Sequence, residues 1–217
     1  MDVFNFVSDM DTTSTLWNTL VEEIRSRGID SPAVFGQGNF GGYLIQQNAE
    51  EFASLICVMK QYGPFKNYLE IGAASGGNLR FIYENVGFGR VISFDDRGHS
   101  HSVFQDENSK EFSDKLTRFI GDSHSHEALL TLQKWVNGDK IDFAFIDGDH
   151  SSIGVLQDFD MVFPYLADNA LVAFHDTIAV PSLGKSLEQI STLKPKAHFV
   201  SKYKPCGILV CELNKEG

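Results

Sequence analysis

The chain has 217 residues, 42% of them hydrophobic, which suits one domain with a sizeable core. It contains no run of about 18 apolar residues that could cross a membrane, and its opening "MDVFNFVSDMDTTS" lacks the basic and apolar regions of a secretory signal. A formal net charge of −11 excludes a broad phosphate-binding face, so neither nucleic acid nor a membrane is an expected partner.

In chain order, "STLWNTLVEEIRSRG" (14–28) places Leu16, Leu20 and Ile24 at helical spacing, with Ser14 as N-cap and Gly28 as stop. A glycine-rich loop, "FGQGNFGGY" (35–43), follows, where Phe40 and Tyr43 are candidates for covering a substrate. "NAEEFASLICVMKQYG" (48–63) puts Phe52, Leu55, Ile56 and Met59 on one helix face, with Asn48 as cap and Glu51 three residues on. From residue 67 short apolar runs alternate with amphipathic segments. The runs are 67–72, 90–96, 117–122, 142–147 and 170–176, and the intervening segments include 78–86, 124–137 and 153–166. Near-continuous apolar strands alternating with helices predict an α/β fold, a mostly parallel sheet covered on both faces. The tail "HFVSKYKPCGILVCEL" (198–213) reads as two further strands, and the basic stretch 194–204 as a solvated hairpin face. No repeat or linker divides the chain: residues 1–63 read as a helical cap and 64–217 as an α/β core of the same domain. Cys57, Cys206 and Cys211 lack zinc spacing and an even count, which points to free thiols in a reducing, cytoplasmic setting.

Every apolar run ends in acidic or small polar groups: Glu70–Gly72, Asp95-Asp96, Asp122-Ser123, Asp147 and His175-Asp176. Six of the seven histidines fall in or just after these ends, and only His198 lies elsewhere. In an open parallel sheet these ends share one edge, where ligands bind at the switch of strand order. "EIGAASGG" (70–77) is a glycine loop in which Ala74 occupies the place of the second glycine of G-x-G-x-x-G, so it is a poor pyrophosphate cradle. Asp95 follows at the end of the next strand, where a carboxylate can accept both ribose hydroxyls. Together these favour an adenosine-containing cofactor without a pyrophosphate.

"YLEIGAASGGNL" resembles the first motif of class I S-adenosylmethionine-dependent methyltransferases, "VISFDD" their second, and "FIGDS" their third-strand segment. Residues 142–177, "DFAFIDGDHSSIGVLQDFDMVFPYLADNALVAFHDT", resemble the fourth and fifth strands of a small-molecule O-methyltransferase branch with an "IDGDHS" motif. The resemblance implies a Rossmann-like, doubly wound, seven-stranded sheet whose last strand is antiparallel. It further implies S-adenosylmethionine as cofactor and a sugar or secondary-metabolite hydroxyl as acceptor, and it admits a homodimer. By the same resemblance Glu70 and Gly72 lie beside the methionine moiety, and Ala73, Ser75 and Gly76 also belong to the cofactor-binding loop. Asp95 holds the ribose, Asp122 and Ser123 lie near the adenine amino group, and Asp147 sits beside the sulfonium methyl. The branch's usual "PGG" is replaced by "ADNA" (167–170), with Asp168-Asn169 expected to supply a turn.

Catechol and caffeoyl-CoA relatives bind Mg²⁺ through an aspartate after the fourth strand and a pair after the fifth. Asp147 and Asp176 match two of those positions. His175 falls where an oxygen ligand is expected, so a divalent ion on Asp147, His175 and Asp176 would be a softer one than Mg²⁺. Without a metal, His150 is the candidate general base and His175 the second choice, while Asp149 is expected to cap the helix near Ile153. The pairs His99/His101 and His124/His126 read as exposed loop histidines. Two other readings use the same early strands: a nicotinamide-dependent oxidoreductase, disfavoured by the missing G-x-G-x-x-G, and a non-catalytic adenosine-binding protein.

Overall fold

The computed structural model describes residues 6–27 and 43–214. The expected stop at Gly28 and most of the glycine-rich loop, Phe40 included, lie outside the described residues.

Helix α1 (Thr15–Arg27) buries Trp17, Leu20, Val21 and Ile24. Leu16, expected on this face, is 43% exposed. The bulkier Trp17 takes the inward position instead, and its indole N–H donates to Ser54 Oγ at 2.8 Å, tying α1 to α2. Helix α2 (Ala49–Tyr62) is capped by the Asn48 side chain, which accepts from Glu50 N and Glu51 N. Its stripe of Phe52, Leu55, Ile56 and Met59 is fully buried.

The remaining elements are β1 (Phe65–Ile71), α3 (Gly77–Asn85), β2 (Phe88–Asp95), α4 (Gln105–Asn108), β3 (Leu116–Ile120), α5 (His126–Val136), β4 (Ile141–Ile146), α6 (Ser152–Val162), β5 (Leu166–Phe174), α7 (Pro181–Leu187), β6 (Leu193–Phe199) and β7 (Ile208–Leu213). They form a seven-stranded sheet of order β3-β2-β1-β4-β5-β7-β6. Strands β1 to β5 pair in parallel, and β7 runs antiparallel between β5 and β6. The chain starts at the centre, winds outward through β2 and β3, then crosses back to β4. The strand order therefore reverses between β1 and β4, and a crevice opens there.

Two apolar layers cover the sheet. Residues of α1, α2 and α3 pack with Tyr68, Phe143 and Phe145 on one face. Those of α5, α6 and α7 pack with Leu69, Ile71 and Ile92 on the other. Adjacent strand residues thus face opposite cores, which is why the runs are apolar at almost every position.

Two boundaries differ from the sequence expectation. Residues 167–170 do not form a turn: β5 already starts at Leu166, and its register against β4 jumps from Ile141↔Leu166 to Phe143↔Leu171. The extra residues bulge outward, leaving Asp168 and Asn169 exposed. Strand β6 starts at Leu193, so the basic stretch divides between an edge strand and the β6–β7 loop; Lys196 pairs with Glu212 on β7 at 2.8 Å.

Candidate active site

The carboxyl ends of β1 and β4 approach so closely that only glycine fits. Gly72 has φ +88°, and a Cβ there would lie 2.0 Å from the Asp147 carbonyl oxygen. Next to it Ala74 adopts φ +44°, and its N–H donates to Asp95 Oδ2 at 2.7 Å. The other Asp95 oxygen accepts from Arg97 N at 2.8 Å and Ser102 Oγ at 3.3 Å. Asp95 thus fastens the glycine loop to the end of β2, so the loop keeps its shape where the usual second glycine is missing. Ser75 Oγ donates to Leu44 O at 2.8 Å, which lays the strap 43–48 across this loop.

Around these turns opens a cavity of about 820 Å³, within the size range of small-ligand sites. Gly72, Asp95, Asp122 and Ser123 line one part of it; Asp147, His150, His175 and Asp176 line another. Glu70, Ala73, Ser75 and Gly76 stand behind the wall rather than on it. Glu70 is fully buried and accepts from the Tyr68 hydroxyl at 3.1 Å. Burial, reinforced by the nearby Asp147 carboxylate, pushes its pKa up to about 8, so it is a neutral acid at pH 7.

The β4 and β5 ends bring two aspartates and two histidines together. His175 Nδ1 lies 2.9 Å from Asp147 Oδ1 and 3.2 Å from Asp176 Oδ1. Neither contact is aligned as a hydrogen bond, and both ring nitrogens are buried without a hydrogen-bond partner; we read the contacts as charge pairing. Burial lowers the affinity of this imidazole for a proton, but Asp147 and Asp176 more than offset it and the pKa is raised. His150 Nδ1 lies 2.6 Å from Asp176 Oδ2, and this contact raises its pKa above the usual value. Asp176 is lowered: burial opposes ionisation, and the two histidines outweigh it. The strap contributes Gln47, whose amide donates to Asp147 Oδ2 at 2.7 Å.

Several histidine and aspartate expectations are revised by this geometry. Asp149 does not cap α6. It accepts from Ser151 N at 2.8 Å, and Ser151 is the cap, accepting from Gly154 N at 3.0 Å. His101 is buried rather than an exposed loop residue, with its Nδ1 2.8 Å from the Gln46 amide nitrogen.

The third wall is the β6–β7 loop, which presents Lys204 and Cys206 to the cavity. It is held from α2. The fully buried Glu51 accepts from Ser201 N at 2.8 Å through one oxygen, and from Gly207 N at 3.0 Å and Cys206 N at 3.3 Å through the other. Asn48 Nδ2 donates to Tyr203 O at 3.2 Å. Sequence reasoning missed Gln47 and Asp158, and it placed Glu51 only in the cap of α2, whereas its carboxylate reaches the β6–β7 loop. Glu51 and Asp158 carried a signal, since each is an acid on the apolar stripe of an amphipathic helix. Gln47 carried none.

A family model described as "Methyltransferase domain" matches residues 69–177, half of the chain. The chain belongs to this methyltransferase family. The matched segment runs from β1 to just past β5 and includes every residue expected to hold the cofactor, a metal or the reacting groups, whereas the substrate-covering candidates Phe40 and Tyr43 lie outside it. The strap and the β6–β7 loop of this methyltransferase lie outside it. No curated protein matches the sequence. Among solved structures, the O-methyltransferase TomG from Streptomyces achromogenes, in complex with SAM, is similar with TM-score 0.60 at 13% identity, covering 98% of this chain and 95% of that one. The N-methyltransferase NodS from Bradyrhizobium japonicum WM9, in complex with S-adenosyl-L-homocysteine, gives TM-score 0.60 at 14% identity over 92% and 100%. An O-methyltransferase from Bacillus cereus in complex with SAH gives 0.58 at 13% over 93% and 91%. At these identities the likeness establishes a shared Rossmann-like fold.

Proposed function

We propose that this methyltransferase uses S-adenosylmethionine to methylate an oxygen of a small-molecule acceptor. The observation that carries the reading is the single cavity at the sheet's reversal point, which joins the Asp95-fastened glycine loop to the His150–Asp176 pair. The residues present fit the cofactor. Ala74, held in a left-handed conformation by Asp95, leaves a loop that a ligand can approach closely. Asp95 would receive the ribose hydroxyls, Asp122 and Ser123 the adenine, and the acidic Asp147 region the cationic end. S-adenosylmethionine would supply an electrophilic sulfonium methyl, open to in-line displacement. The protein's part is to position the acceptor oxygen and to take its proton. Asp176 holds His150 by Nδ1, so in the neutral imidazole Nδ1 carries the hydrogen and Nε2 the lone pair. His150 Nε2 is then the proton acceptor. The strap and the β6–β7 loop wall off the acceptor from water.

One observation favours a second element at the same place. The imidazole of His175 is buried without an aligned partner, and donor atoms of Asp147, His175 and Asp176 all lie within 4.8 Å of one another. This nitrogen-and-oxygen set fits Mn²⁺, Fe²⁺ or Zn²⁺ better than Mg²⁺ or Ca²⁺. Such an ion would be held by these three side chains and would acidify the acceptor hydroxyl.

Calorimetric titration with S-adenosylmethionine and S-adenosylhomocysteine, with EDTA or with added Mn²⁺ or Mg²⁺, tests both points. Binding of both nucleotides in EDTA is expected from the cofactor reading; folded protein that binds neither would overturn it. Titration with Mn²⁺ alone tests the ion, and no heat from wild type would exclude it.

A further inference from the structure

The imidazole of His175 belongs to a second group of donor atoms, which the chemistry above leaves unused. One donor atom each of Glu51, His175 and Cys206 lies within 4.8 Å of the other two. The three come from separate segments: α2, the end of β5 and the β6–β7 loop. Glu51 is 0% and His175 7% exposed, and both ring nitrogens of His175 lack a hydrogen-bond partner. Cys206 is a half-buried free thiol bordering the cavity.

The backbone holds these donors in place. Cys206 O accepts from Ile178 N at 2.8 Å and Ala179 N at 2.9 Å, and Cys206 N donates to Glu51 Oε2 at 3.3 Å. The thiol is therefore carried on a residue fixed to the segment after β5 and to α2. A carboxylate offers about four lone-pair positions. Backbone N–H groups of Ser201, Cys206 and Gly207 take three of those on Glu51, which leaves one for a further partner. Nδ1 of His175 is turned to Asp147 and Asp176, so Nε2 is the nitrogen left for a ligand.

We propose that Glu51, His175 and Cys206 form a binding site for a thiophilic divalent cation of the Zn²⁺ type. Carboxylate, imidazole and thiolate all suit such an ion, and the thiol gives up its proton to water as the ion binds. Asp147 and Asp176 would then orient the imidazole from its Nδ1 side, as carboxylates do behind metal-bound histidines. Three protein ligands leave the fourth tetrahedral position open. Cys206 and His175 both border the cavity, so water or an acceptor atom can take that position. A neutral imidazole gives only one nitrogen to a metal, so this site and the oxygen-rich set of Asp147, His175 and Asp176 exclude each other. The sulfur decides between them: a thiolate favours zinc, whereas Mn²⁺ goes to the oxygens. No nucleotide takes part, so the site stands or falls independently of the cofactor.

Cobalt(II), which occupies zinc sites and reports their ligands by absorption, is the probe. Wild type is expected to show a thiolate-to-cobalt charge-transfer band with the intense visible bands of tetrahedral cobalt. Cys206→Ser should abolish the charge-transfer band, and Cys57→Ser should keep it. Cobalt that binds without this band, or a band that survives Cys206→Ser, overturns the site; so does wild type that takes up neither cobalt nor zinc. Thiol labelling of wild type needs no variant and serves if Cys206→Ser does not fold. With zinc at about ten times its Kd, alkylation of Cys206, mapped by peptide mass, should slow about tenfold while that of Cys57 stays the same. An unchanged rate at Cys206 overturns the proposal, and equal protection by Mn²⁺ would assign the ion to the oxygens and overturn it too.

Discussion

In the mechanism proposed above, His150 would have both its tautomer and its working range as a base set by one neighbour. Asp176 holds its Nδ1 at 2.6 Å and is the largest cause of its raised pKa. The catalytically competent form is neutral, so the rate should climb as pH rises through a value above 6.5. Asp176→Asn removes that cause. The limb of the pH–rate profile should move to lower pH, and kcat should fall about 10–100-fold because the tautomer is no longer fixed; an unmoved limb would assign the proton to another group. Asp95 has a double duty that its position at a strand end did not reveal, because its partners, Ala74 N and Ser102 Oγ, lie on other segments. Asp95→Asn should weaken S-adenosylhomocysteine binding by about 1–3 kcal/mol, read by calorimetry. His150 and Asp176 were legible as polar groups at strand ends. Their pairing was not, since it depends on how two loops face each other.

At the scale of elements, the β1–α3 and β4–α6 turns behave as one unit. Gly72→Ala would need a Cβ where the Asp147 carbonyl oxygen stands, at a φ of +88°. We expect a loss of more than about 3 kcal/mol in urea unfolding, since both the backbone contact and the left-handed conformation penalise a side chain. Helix α2 was readable almost to the residue, because Asn48 is a strong cap and the Phe52–Met59 stripe is regular. Helix α1 was not read correctly at Leu16, where periodicity alone could not rank Leu16 against Trp17. At the start of β5 turn-forming residue types misled: Asp168 and Asn169 are absorbed in a bulge whose pairing with Ile141 is set from outside the segment.

For the whole molecule, stability against pH carries the mark of Glu70. Its folded pKa is about 8, against 4.5 for a glutamate free in water. Between those values the folded protein retains a proton that the unfolded chain has lost, so this group makes stability fall as pH rises and level off above about 8. Glu70→Gln removes the titration. Relative to wild type it should gain on the order of 4 kcal/mol between pH 5 and pH 9, measured by denaturant unfolding. A constant difference across that range would contradict the buried neutral acid. The sheet as a whole was legible because strands buried on both faces leave an unmistakable apolar record. The completed cavity was not. It depends on contacts such as Gln47 to Asp147, 100 residues apart, and Glu51 to Ser201, 150 apart, which leave no local pattern.

The grip of Glu51 has one more consequence. A single carboxylate holds Ser201, the second residue of the β6–β7 loop, with one oxygen and the loop's last two residues with the other. The ends of the loop are stapled at a fixed spacing, whatever lies between them. Residues 202–205 form an interchangeable cassette: new sequences grafted there would inherit a closed loop, and acceptor choice could be re-engineered without disturbing the half of the enzyme that holds the nucleotide.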